Sequence, residues 1–96
     1  MTPPFSVHVA PHFERLVRKL LRSHNELAAL HARVREILET DPHNTSRNHP
    51  IRKLEGVKPG EGQYRLRLGR FRFRYDIRGK EVWLLYCGLR REDTYR

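Results

Sequence analysis

The chain has 96 residues, 20 of them Lys or Arg against 11 Asp or Glu, for a formal net charge of +9, and it contains one cysteine. That length gives a single domain, residues 1–96, whose one core buries about two-thirds of the surface exposed by the unfolded chain. The charge calls for a polyanionic partner, either nucleic acid or an acidic protein segment, and less specifically an anionic membrane surface. One cysteine excludes an internal disulfide, and no apolar run approaches the ~20 residues of a membrane span.

The N-terminal stretch MTPPFSVHVAP has no basic region ahead of an unbroken apolar run, so it does not read as a secretory signal. Together with the lone Cys87 this gives a cytoplasmic expectation. Residues 5–9, FSVHV, alternate with period two and read as a short strand. Pro11 suits the first turn of a helix, and Phe13, Leu16, Val17, Leu20 and Leu21 then form one apolar helical stripe. SHNE at 23–26 has the spacing of a capping box between Ser23 and Glu26. It opens a second helix with the stripe Leu27, Leu30, Val34, Ile37 and Leu38, ended by Asp41-Pro42. Two helices joined so closely predict an antiparallel hairpin.

DPHNTSRNHP at 41–50 reads as a polar loop, IRKL at 51–54 as a short strand, and EGVKPGEG at 55–62 as a Gly- and Pro-containing turn. QYRLRL and RFRFRYDIR flank Gly69, and EVWLLYC at 81–87 follows RGK, which predicts two successive tight hairpins. The nearly continuous apolar character of EVWLLYC places it centrally, covered on both faces. The fold class is therefore α+β: an N-terminal strand, a helical hairpin, then an antiparallel sheet of about four strands with the helices packed on one face.

The stretch YRLRLGRFRFRYDIR at 64–78 carries the functional signal. Side chains alternate across a strand, so Tyr64, Leu66, Leu68, Phe71, Phe73, Tyr75 and Ile77 share the core face. Arg65, Arg67, Arg70, Arg72, Arg74, Asp76 and Arg78 share the other. Cross-strand neighbours about 5 Å apart repel by roughly 1 kcal/mol in water and by several times that near a partly desolvated surface. Asp76 relieves only part of this. An exposed face can be merely solvated, and Arg stems cover apolar surface well; the density and one-sidedness of the charge nevertheless favour phosphate binding. The planar guanidinium binds phosphate in two-pronged fashion and stacks on bases. A second constellation is CGLRREDTYR at 87–96, with Arg90, Arg91, Tyr95 and Arg96 following Gly88.

These residues carry a resemblance. HPIRKLEG, YRLRLGRFRFRYDI and EVWLLYCGLRREDTYR together resemble the RelE/ParE superfamily of bacterial toxin-antitoxin toxins, over most of the chain. The resemblance implies a RelE-like toxin domain, and in the ribonuclease branch a metal-independent endoribonuclease that cleaves messenger RNA on the ribosome and inhibits translation. It places the family's third-strand cationic pair on Arg65 and Arg67, and its three catalytic positions on Arg72, Arg90 and Tyr95. Arg72 and Arg90 would then clamp the scissile phosphate in its transition state. Arg65 and Arg67, joined by Arg70, Arg74 and Arg91, would hold flanking phosphates and orient the ribose 2′-OH. Tyr95 would stack on a base or take part in proton transfer. The chain has Arg at 65 and 67 where ribonuclease members often have Lys, and Arg is never a general base; Leu89 stands where several relatives carry His.

The implied partners are a cognate antitoxin in a hetero-oligomer, messenger RNA and the ribosome, with no membrane and no cofactor. His8, His12, His24, His31, His43 and His49 form no metal-ligand pattern with Cys87. Two alternatives stand beside the ribonuclease: a ParE-like poison of DNA gyrase without nuclease chemistry, and a non-catalytic module that binds nucleic acid or an acidic partner.

Overall fold

Alternation at the N-terminus gives β1 (Ser6–Val9), and the two apolar stripes give α1 (Pro11–Leu21) and α2 (Glu26–Thr40). The remaining strands are β2 (Ile51–Lys53), β3 (Tyr64–Leu68), β4 (Phe71–Arg78) and β5 (Glu81–Leu89). The structure is a computed structural model that describes residues 2–90.

The five strands form one sheet in the order β1-β5-β4-β3-β2. β2 to β5 pair antiparallel, as the two tight hairpins require, and β1 joins the sheet as a fifth strand, parallel to β5. A parallel neighbour needs a crossover, and the helical hairpin supplies it. Each tight hairpin turns through a two-residue loop, Gly69-Arg70 and Gly79-Lys80. Gly69 has φ 58° and Gly79 φ 60°, whereas neither Arg70 nor Lys80 has a positive φ. A positive φ at the first loop position alone is the requirement of a II′ turn, which glycine meets without strain.

The core lies between the helices and one sheet face. Phe13 of α1 and Leu27, Val34, Ile37 and Leu38 of α2 pack with Val7, Leu66, Phe71, Phe73, Tyr75, Val82, Leu84 and Cys87. Burial of each large side chain is worth about 1.5–3 kcal/mol. Tyr75 is fully buried, and its hydroxyl donates to the Pro42 carbonyl at 2.8 Å, which ties β4 to the end of α2. Burial pushes that phenol's pKa far above its ordinary value.

Three expectations need correction. The Ser23–Glu26 capping box does not form: the residue at the N-cap is Asn25, which has helical geometry (φ −61°) and makes no side-chain cap bond. An N-cap needs extended geometry to aim its oxygen at the free amides. Glu26 instead accepts from Arg70 Nη1 at 3.4 Å. Second, β5 is covered fully on one face only. It lies between β1 and β4 with Val82, Leu84 and Cys87 buried, whereas Trp83 and Tyr86 on its other face are half-buried. Third, Asp76 does not serve the arginines. It is 2% exposed, and its carboxylate accepts from the backbone amides of Gly60 and Gln63.

Candidate nucleic-acid interface

The sheet face opposite the helices is built from two cross-strand rows. In the first, Arg52 of β2 stands opposite Arg65 of β3, Arg65 opposite Arg74 of β4, and Arg74 opposite Tyr86 of β5. In the second, Arg67 stands opposite Arg72, and Arg72 opposite Gly88. Strict alternation along β3 and β4 fixes these partners, because a one-residue slip would send Leu66, Phe71 and Phe73 into solvent. Arg65, Arg67, Arg72 and Arg74 are all half-buried, so their charges act at a lower effective dielectric than in bulk water.

The rows floor a cleft of about 360 Å³ lined by Leu54, Arg65, Arg72, Arg74 and Tyr86. Among the described residues no carboxylate lines it. One wall is the loop of residues 54–63, which Asp76 grips from below through Gly60 and Gln63. Arg74 holds the same loop: its Nε and Nη2 both donate to the Gly62 carbonyl, at 3.1 and 3.0 Å. Gly62 has φ +84°, and a Cβ there would lie 2.8 Å from Arg74 Cβ. Glycine is thus needed at 62 both for conformation and for close approach.

Tyr86 enters the cleft through a bulge. The ladder pairs Tyr75 with Leu84 and Arg74 with Tyr86, which leaves Leu85 as an extra residue in β5. An extra residue reverses the alternation beyond it. Val82 and Leu84 face the helices before the bulge and Cys87 faces them after it, so Tyr86 and Gly88 fall on the arginine face. The Tyr86 ring lies over Gly88: a Cβ built on Gly88 would overlap the phenol, with Cζ at 2.7 Å. The phenol therefore sits at the level of Arg72, the cross-strand partner of Gly88.

Of the expected site residues, the fold brings together Arg65, Arg67, Arg72 and Arg74. Arg74 is committed to the loop wall. Arg70 lies in the β3–β4 turn, where its Nη1 is 3.4 Å from Glu26 Oε2 and 3.5 Å from His24 Nδ1, on the α2 side. Arg90 is exposed at the same turn, its backbone N–H donating to Arg70 O and its Nη1 to Gly69 O at 3.3 Å. Arg91 and Tyr95 lie outside the described residues. Sequence reasoning missed Arg52 and Tyr86. The alternation of IRKL placed Arg52 beside the β3 arginines once pairing was known. Tyr86 could not be found that way, because nothing in EVWLLYC marks where the bulge falls.

His8 of β1 stacks on Trp83 at 4.5 Å with 22° between planes, and its Nε2 is 4.0 Å from Glu81 Oε2. Among the described residues no three of His, Cys, Asp or Glu converge on one point, and no helix is long and apolar enough to cross a membrane.

No protein-family model and no curated protein matches the chain. A mixed five-stranded sheet backed on one face by a helical hairpin, with its cations on the other, defines an α+β class of small basic domains. Within that class, the chain is similar to a chain of the crystal structure of the archaeal RelE-RelB complex from Pyrococcus horikoshii OT3. The two agree with a TM-score of 0.69 and 23% identity, over 91% of this chain and 96% of that one. The fold is RelE-like.

Proposed function

We propose that the protein is the toxin of a toxin-antitoxin pair and acts as an endoribonuclease on messenger RNA. The observation that carries this reading is the cleft of Arg65, Arg72, Arg74 and Tyr86, extended by the Arg67–Arg72 pair. Such a surface suits a chain of phosphate esters.

In the proposed reaction the ribose 2′-oxygen attacks the adjacent phosphorus and the bond to the 5′-oxygen breaks. The products are a 2′,3′-cyclic phosphate and a 5′-hydroxyl, and the proton lost from the 2′-OH is balanced by one gained at the leaving oxygen. Negative charge grows on the non-bridging oxygens as phosphorus becomes pentacovalent. Arg72, on the cleft floor, would meet that charge together with Arg90; preorganised donors of this kind are worth about 3–4 kcal/mol each when removed singly. Arg65 and Arg67 would hold the flanking phosphates and align the attack. Tyr95 would contribute stacking or proton transfer.

The structural neighbour is a RelE-RelB complex, which supports an antitoxin partner here too, an acidic or amphipathic segment that covers the arginine rows. The ribosome enters this reading as the place where messenger RNA is presented. Induced expression followed by mapping of messenger 5′ ends tests the proposal. Discrete cuts within open reading frames are the expected result. Double-strand DNA breaks without such cuts would point to a gyrase poison and overturn the nuclease reading. Growth arrest with neither lesion would point to a non-catalytic binding module and overturn it as well.

A further inference from the structure

We infer that Tyr86 is a substrate-contacting residue of the cleft, its phenol hydroxyl donating a hydrogen bond to a non-bridging oxygen of the RNA phosphate held by Arg72. The inference rests on the endoribonuclease reading above and gives Tyr86, which that reading counts only in the lining of the cleft, a role toward the substrate. Three independent features of the chain converge on this side chain.

The first is the bulge at Leu85. Without an extra residue there, Tyr86 would alternate onto the helix face, where it would have to bury its hydroxyl in the core. With it, Tyr86 takes its place opposite Arg74 in the arginine rows. The second is Gly88, buried in β5, whose missing side chain makes the space that the phenol occupies. Glycine within a strand weakens the strand, and it commonly marks a close approach. Here the close approach is made by the phenol of Tyr86. The third is the lining of the cleft, where Tyr86 is the one aromatic among three arginines.

Chemistry selects the ligand. A phenol O–H among guanidiniums offers a neutral donor between fixed positive charges. A non-bridging phosphate oxygen has more lone pairs than two arginines satisfy, so it can accept a third bond from a hydroxyl. A phenol also resists the repulsion that a further cation at position 86 would add to Arg72 and Arg74. Bonds to a charged acceptor are about twice as strong as neutral ones.

Two variants test this. Tyr86→Phe removes only the hydroxyl. Gly88→Ala keeps the hydroxyl but drives it aside, because the new Cβ meets the end of the Tyr86 side chain; Gly88 has no positive φ, so alanine fits its backbone. Binding is measured with a single-stranded oligoribonucleotide that carries one 2′-deoxy nucleotide at the mapped cleavage point, and cleavage is followed in single turnover with the all-ribose strand. Each variant is expected to lose about tenfold or more in both measurements, with melting temperatures close to wild type. The double variant is expected to match Tyr86→Phe alone, because both changes act through one hydroxyl. Tyr86→Phe that binds and cuts like wild type would overturn this inference and leave the nuclease reading standing. Additive losses in the double variant would also overturn it, since Gly88 would then act by another route. A wild-type protein that binds the deoxy-substituted strand without cutting the ribose one would overturn the nuclease reading alone, and the binding arm would still decide the role of Tyr86. A wild type that neither binds nor cuts overturns both.

Discussion

Arg67 and Arg72 stand directly opposite each other in the β3–β4 ladder, two cations on the same face of adjacent strands. At a separation of about 5 Å their repulsion is roughly 1 kcal/mol in water and more where the side chains are half-buried. Arg67→Glu turns the repelling pair into an attracting one. It is expected to raise the melting temperature at low salt by several degrees, since about 1 kcal/mol shifts a domain of this size by roughly 4–8 °C. The same variant loses RNA binding and cleavage. Calorimetry beside a cleavage assay checks both halves, and a lowered melting temperature would mean that the pair is already compensated.

Salt reports how many of these cations meet phosphate. Each phosphate neutralised on a single strand contributes a slope of about −0.7 to the dependence of log affinity on log salt concentration. Arg52, Arg65, Arg67 and Arg72 lie on the rows, while Arg74 turns its Nε and Nη2 to the Gly62 carbonyl. The expected slope for a single-stranded RNA is therefore roughly −3. Arg65→Ala brings it closer to zero by about 0.7, and Arg70→Ala, removed from the α2 side of the turn, leaves it unchanged. Fluorescence anisotropy titrations at four salt concentrations measure these slopes. A slope unmoved by Arg65→Ala would place the bound strand elsewhere.

Asp76 holds the cleft wall rather than the cleft. Its carboxylate takes two backbone amides of a loop that has no strand partner of its own. Asp76→Ala leaves those two amides without their acceptor, while the bonds from Arg74 to the Gly62 carbonyl stay in place. Hydrogen bonds to a charged group contribute about 1.5–3 kcal/mol each, so the loss of both is expected to destabilise the domain by roughly 3 kcal/mol. It should also open residues 57–63 to protease before global unfolding. Urea titration gives the first quantity and limited proteolysis the second. A variant as stable as wild type and cut no faster would show that the loop is held by Arg74 alone.

The fold was legible where one local rule determined the answer. The stripes of Phe13, Val17 and Leu20 and of Leu27, Val34 and Ile37 could only be helices facing a core, and Gly69 and Gly79 marked both hairpins. Alternation alone put Arg65, Arg67, Arg72 and Arg74 on one face. Long-range pairing was not legible in the same way. Nothing in FSVHV says that it joins β5 in parallel, and a run as apolar as EVWLLYC hides both the bulge at Leu85 and the open face of β5. Asp76 misled for a related reason: sequence shows it among arginines, but its partners are amides of Gly60 and Gln63, 16 and 13 positions away. The position of Ser23 in the connecting turn depended on backbone angles that residue types alone do not specify. The place of Tyr86 in the cleft was invisible for the same cause as the bulge.

A last prediction concerns acid stability and rests on the other side of the molecule. His31 of α2 lies in a cleft between the helices with Glu14 and Arg18 of α1 and Arg35 of its own helix, its ring centroid 6.0 Å from that of Phe13. Burial, helped by the charge of Arg35, holds its pKa below the ordinary histidine value. The folded state therefore binds this proton less readily than the unfolded chain. Stability from His31 is fully present above the unfolded pKa, about 6.5, and is lost as pH falls through that value toward the depressed folded one. His31→Gln removes the titration and keeps a polar side chain of similar length. The drop in melting temperature between pH 7.5 and pH 5.5 is expected to be smaller in the variant than in wild type. Equal drops in the two proteins would assign the acid sensitivity to other groups, and a larger drop in the variant would mean that Glu14 stabilises protonated His31 in the folded state.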